Sequence, residues 1–136
     1  MTRTQLILLP LLTILTACQT LGEHKRADAL EDVLRRYEAS IRWTSGRQAH
    51  NFMPPQEDPT QDQREIRPAS KNVRVTHYEV VQGPTMLGET RAVQTAVIQY
   101  VLQDTQIVRE LSDQQEWRYD EEAEMWHLHS PVPVFK

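Results

Sequence analysis

Two periods divide the chain. From Ala27 to Trp43 apolar side chains return at three- and four-residue steps: Ala27, Leu30, Val33, Leu34, Tyr37 and Ile41. That spacing is one face of a helix. Lys25, Arg26, Glu31, Asp32, Arg35, Arg36 and Glu38 fill the opposite face, and Gly46 supplies a C-terminal stop. Arg47 to Met53 reads as a short second helix ended by Pro54-Pro55. Beyond residue 72 the period falls to two. Strands are expected at Val73–Val81, Thr90–Leu102, Ile107–Tyr119 and Met125–His129, where Pro131 and Pro133 close the pairing. A phase slip between Val75 and Tyr78 predicts a bulge, and Gly83-Pro84 to Gly88 reads as a turn. Between the two halves, residues 54–70 hold four prolines and almost nothing apolar. This stretch reads as a flexible loop, because it has nothing to bury against a core.

Strand register can be argued from the same pattern. A turn centred on Asp104-Thr105 sets Leu102 opposite Ile107, Ile98 opposite Leu111, Ala96 opposite Asp113, Gln94 opposite Gln115 and Ala92 opposite Trp117. A four-residue turn after Asp120 sets Tyr119 opposite Trp126 and Trp117 opposite Leu128. All these apolar residues then share one face, as pairing demands. The expected class is α+β, with an N-terminal amphipathic helix packed on a curled antiparallel sheet of about four strands.

The N-terminal segment changes the picture of where such a domain resides. Met1-Thr-Arg3 carries one positive side chain, and Leu6 to Leu15 is a Leu/Ile-rich run broken only by Pro10 and Thr13. The run is too short for a membrane span, which needs ~20 apolar residues, and has the length of a secretory signal. Leu15-Thr16-Ala17-Cys18 resembles the lipobox of bacterial lipoproteins, in which the cysteine is acylated and becomes the new N-terminus. The thiolate is the nucleophile that chemistry requires. The expected organisation is a lipoprotein signal peptide at 1–17, a lipidated tether at 18–26 and one α+β domain at 27–136. Gln19 after the cysteine is not the Asp that retains enterobacterial lipoproteins at the inner membrane. The expected location is therefore the periplasmic leaflet of the outer membrane, with the inner membrane as the alternative.

Composition excludes several classes. Cys18 is the only cysteine, so once acylated it leaves no thiol for catalysis, zinc or redox exchange. The formal net charge is −4, and removing Arg3 makes it more negative. No basic cluster stands ready for nucleic acid or a polybasic membrane contact. No Gly-rich phosphate loop, Gly-x-Ser-x-Gly elbow or His-Glu-x-x-His pair occurs.

The helix Ala-Leu-Glu-Asp-Val-Leu-Arg-Arg-Tyr (29–37), the segment Val-Arg-Val-Thr-His-Tyr-Glu-Val-Val (73–81) and Gln-Glu-Trp-Arg-Tyr-Asp (115–120) ending in Trp126 resemble small proteobacterial lipoproteins. Their domain looks like the nuclear-transport-factor-two-like or cystatin-like α+β roll. The resemblance implies that fold and no single activity, since such folds host enzymes, binders and interaction domains alike.

Two groups of residues could carry chemistry. Gln94, Asp113, Gln115 and Trp117 fall on the inner face, with Ala92 and Ala96 as small neighbours. They would line a ligand pocket on the concave sheet, with Asp113 as an acid or base whose pKa burial raises. The alternatives are a wet sheet rim or a structural partner from the helix, such as an arginine. His127 and His129, with Met125, have spacing suited to a metal but fall on the polar face, where they read as solvated histidines. The acids between Asp104 and Glu124 read as a solvated surface. The expectation is a membrane-anchored, periplasm-facing, non-catalytic interaction module that needs no cofactor. It would have two partners, the membrane through Cys18 and an envelope protein. The alternative is a small-molecule binder or enzyme built around Asp113.

Overall fold

In the computed structural model the described residues are 14–55 and 72–136, with side chains from Leu21 onward. The expected signal segment before residue 14, and residues 56–70 of the expected Pro-rich loop, lie outside them.

The helix α1 spans Ile14–Thr44, and a short 3-10 helix spans Ala49–Phe52. Four strands follow: β1 (Val73–Met86), β2 (Arg91–Leu102), β3 (Ile107–Asp120) and β4 (Met125–Leu128). They form one antiparallel sheet in the order β1-β2-β3-β4, with α1 against one face. The class is α+β.

The central register is the one the alternation predicts, from Ala92↔Trp117 to Leu102↔Ile107 without a shift. The β3–β4 pairs Trp117↔Leu128 and Tyr119↔Trp126 agree as well. The loop between β2 and β3 holds four residues, Gln103 to Gln106, rather than a tight two-residue turn, and Gln106 closes it with φ +56°. The β3–β4 loop is built alike, ending on Glu124 at φ +50°.

The expected curl is corrected: the sheet is open, with β1 and β4 as separate edges. Curvature is introduced by bulges or glycine kinks. Here the register shifts fall on the edge strand β1, between Val75 and His77, Val80 and Gln82, and Gln82 and Thr85, while the β2–β3 pair has neither bulge nor glycine. The first shift is the bulge expected near Val75. The other two carry β1 through Gly83-Pro84, where a turn was expected. An edge strand tolerates proline because its N–H can face away from the ladder.

Helix α1 reaches further toward the N-terminus than the periodic stretch. It continues through 18–26, the segment read as a tether. Burial begins only at Leu30 and proceeds through Val33, Leu34, Tyr37 and Ile41. These residues meet Tyr78, Ala96, Ile98, Trp117, Trp126 and Leu128 in one core. At its other end the chain leaves the helix through Ser45 (φ +51°) and Gly46 (φ +76°). The Ser45 hydroxyl donates to Val73 O at 2.7 Å, which joins the helix end to the start of β1. The C-terminal tail returns to this point, where Phe135 stacks edge-on against Tyr100 at 5.0 Å.

Candidate functional site

Inward residues on β2 and β3 alternate with outward ones, so Gln94, Asp113, Gln115 and Trp117 project from neighbouring rows onto the helix side of the sheet. All four are buried, Asp113 to 3% exposure. The structure thus brings the four together, and it adds two phenols. Tyr37 from α1 donates to Asp113 Oδ2 at 3.2 Å. The Gln115 amide donates to the same oxygen at 2.9 Å and to the Tyr78 hydroxyl at 2.8 Å. Gln115 Oε1 accepts from Trp117 Nε1 at 3.2 Å and from Gln94 Nε2 at 3.3 Å.

Gln115 is the hub of this network. Both of its amide hydrogens and its carbonyl oxygen are engaged, as buried polar groups require. The sequence reading missed Tyr37 and Tyr78 because their spacing placed them in the apolar core. One signal was available: a buried phenol needs a partner, and the inward row opposite offers only the polar residues of β2 and β3.

Burial is the largest influence on Asp113 and pushes its pKa up to about 6, against the lowering effect of the Gln115 and Tyr37 hydrogen bonds. The same burial, with Asp113 nearby, drives Tyr37 far above the ordinary phenol value. Tyr78 is raised too, mainly by burial. A carboxyl poised near neutrality is suited to proton transfer, but a proton must be within reach of a substrate. Here the carboxyl is buried and bonded to Tyr37, which joins Phe52 and Trp117 in a mutually perpendicular cluster, with ring centroids 5.4 to 6.3 Å apart. An open groove of about 580 Å³ does pass nearby, lined by Gln82, Thr95, Gln114, Glu116 and His129 as well as Gln94 and Gln115. Neither Asp113 nor Trp117 lines it.

The histidines stand outside the Asp113 network, with His129 at the groove. His127 is half-buried, with Nε2 4.0 Å from an Asp120 carboxylate oxygen. His129 is exposed, and partial desolvation, then Arg118, hold its pKa below the usual imidazole value. Among the described residues no group of three His, Cys, Asp or Glu side chains is arranged to hold a metal ion.

Exposed apolar side chains stand at both ends of the sheet, Leu21, Met86, Leu87 and Met125 at one and a group around Trp43 at the other. Trp43, in the last turn of α1, is 83% exposed. Val108, just past the β2–β3 loop, is 67% exposed, and Val134, beside Phe135, is 64% exposed. Ile107 is also exposed. The contacts of Ser45 with Val73, of Gln103 with Asn72 and of Phe135 with Tyr100 put all four at one end of the sheet. Arg26 marks the opposite end. Its guanidinium lies 3.8 Å from both Glu89 and Glu121, in the β1–β2 and β3–β4 turns. Its carbonyl accepts from Trp126 Nε1 at 2.9 Å.

The chain matches no family model, no curated protein sequence and no solved structure. Among the described residues no helix is long and apolar enough to cross a membrane.

Proposed function

We propose that this chain is an envelope lipoprotein, held on the periplasmic leaflet of the outer membrane by acylated Cys18. Its domain is a non-catalytic module that docks another envelope protein. The order of charge, apolar run, small residues and cysteine in residues 1–18 supports the anchor. The observation that carries the docking role is the placement of Trp43, Ile107, Val108 and Val134, exposed at the end of the fold opposite the anchored end. Exposed tryptophan is a common anchor of protein interfaces. The ligand-binding alternative meets a physical obstacle. Asp113 is buried, and its Oδ2 already accepts hydrogen bonds from Tyr37 and Gln115.

Two measurements test this proposal. Fatty-acid labelling in a bacterial host should mark the native chain and leave Cys18→Ser unmarked. Label persisting in the variant removes Cys18 as the anchor. Crosslinking in intact envelopes should trap a partner that copurifies with the native chain, and the adduct should vanish in a Trp43→Ala, Val108→Glu variant that folds normally. An adduct indifferent to both substitutions places the partner elsewhere on the domain.

A further inference from the structure

The structure assigns an orientation on the membrane: α1 is a helical stalk that holds the β1–β2 and β3–β4 turns toward the bilayer and the Trp43 end away from it. This inference rests on the acylation of Cys18 proposed above, and the bilayer is the partner it names.

Two observations converge. First, Cys18 lies within α1 itself, so the link from anchor to domain is helical rather than coil. Cys18 and Arg26 are eight positions apart, about 12 Å at the helical rise of ~1.5 Å per residue. Along this stretch Leu21, Glu23, His24 and Lys25 are exposed, and Glu23 stands beside Met86, Gly88 and Glu89 at the β1–β2 end of the sheet. Second, the domain is clamped to the stalk where this stretch ends. Arg26 bridges Glu89 and Glu121, stands 5.8 Å over the Tyr119 ring and receives the Trp126 indole hydrogen bond. The two turns are thereby fixed beside the base of the stalk. The turns carry Glu89, Glu121, Glu122 and Glu124, which anionic headgroups repel within a Debye length of ~8 Å, so the helical link, and not charge, sets the posture. Leu87, exposed at the tip of the β1–β2 turn, then faces the headgroups. The β2–β3 loop stands roughly 40 Å further out, the length of β2 at ~3.4 Å per residue.

The test uses the mature lipidated chain. Acylation occupies its single native cysteine, so Leu87→Cys and Thr105→Cys each offer one thiol for a fluorophore. Both positions are exposed. The proteins are reconstituted in vesicles of phosphatidylethanolamine and phosphatidylglycerol that carry a headgroup-attached nitroxide quencher. Quenching should be present at residue 87 and lost at residue 105, given a separation of roughly 40 Å. His24→Pro, which breaks the stalk outside the packed domain, should erase the difference while the protein still floats with the vesicles. Equal quenching at 87 and 105 in the unbroken chain overturns the orientation and leaves the anchor standing. A chain that does not float with vesicles, and takes up no fatty acid, overturns the anchor and the orientation with it.

Discussion

Asp113 shows how one residue can be read correctly in place and incompletely in company. The alternation of β3 put it on the inner face opposite Ala96, and there it stands. What satisfies it is not an arginine from the helix but the neutral donors Tyr37 and Gln115, so a charged Asp113 is hydrogen-bonded yet not paired. The consequence for stability has a definite sign. Its folded pKa, about 6, lies above its ordinary value of 3.8, so between those values the folded chain holds a proton that the unfolded chain releases. Stability from this group is fully present below about pH 4 and falls as pH rises to about 6. At ~1.4 kcal/mol per unit the total loss is on the order of 3 kcal/mol. Replacing Asp113 by Asn removes the titration and keeps an oxygen for Tyr37 and Gln115. The stability of Asp113→Asn relative to the native chain should therefore climb across that window, by up to about 3 kcal/mol. Chemical denaturation at pH 4, 5, 6 and 7 measures it. A relative stability that does not change with pH means that Asp113 is not buried as an ionisable group.

At the scale of elements, the end of α1 is the most constrained junction. Gly46 adopts φ +76°, and a Cβ there would stand 2.9 Å from Phe135 Cε2 and 3.7 Å from Ile41 Cδ1. Gly46→Ala should therefore cost ~1–2 kcal/mol for the left-handed backbone and more for displacing Phe135. Adding Phe135→Leu should recover the second part and not the first, which a double-mutant cycle on thermal unfolding will separate. Full additivity would show that Phe135 does not meet Gly46. The stop itself was legible, because glycine after a periodic stretch signals a helix end. Its second duty was not, since a tail residue many positions away in sequence makes the contact. The same division holds across the fold. The β2, β3 and β4 pairings could be read because each strand keeps strict alternation and each connection is short. The last residues of β1 could not, because Gly83-Pro84 signals a turn and only its edge position lets the strand continue. The N-terminal extension of α1 was hidden because residues 18–26 lack an apolar face, and their helical state follows from continuity with the packed part. Curl was expected from the apolar face the strands share under the helix, whereas the unshifted β2–β3 ladder contains nothing that bends it.

Over the whole molecule a single cluster ties the layers together. Trp117 from β3 meets Tyr37 from α1 at 5.4 Å and Phe52 from the 3-10 helix at 6.3 Å. It is fully buried, and it donates to the Gln115 carbonyl that organises the polar network. Truncating a buried tryptophan costs ~3–5 kcal/mol, against a total domain stability of ~5–15 kcal/mol. Trp117→Ala should lower the unfolding midpoint steeply, because it removes the contact through which helix, 3-10 helix and sheet share one core. The stalk is the N-terminal part of α1 and lies outside that core, and a helix shorter than ~12–15 residues is marginal in water by itself. Its helicity should therefore depend on the domain, and far-ultraviolet and near-ultraviolet circular dichroism should report one transition in both proteins, shifted together in the variant. Helical signal that outlasts the aromatic signal would show the stalk to be independently stable. An unmoved midpoint would show that Trp117 does not join the layers.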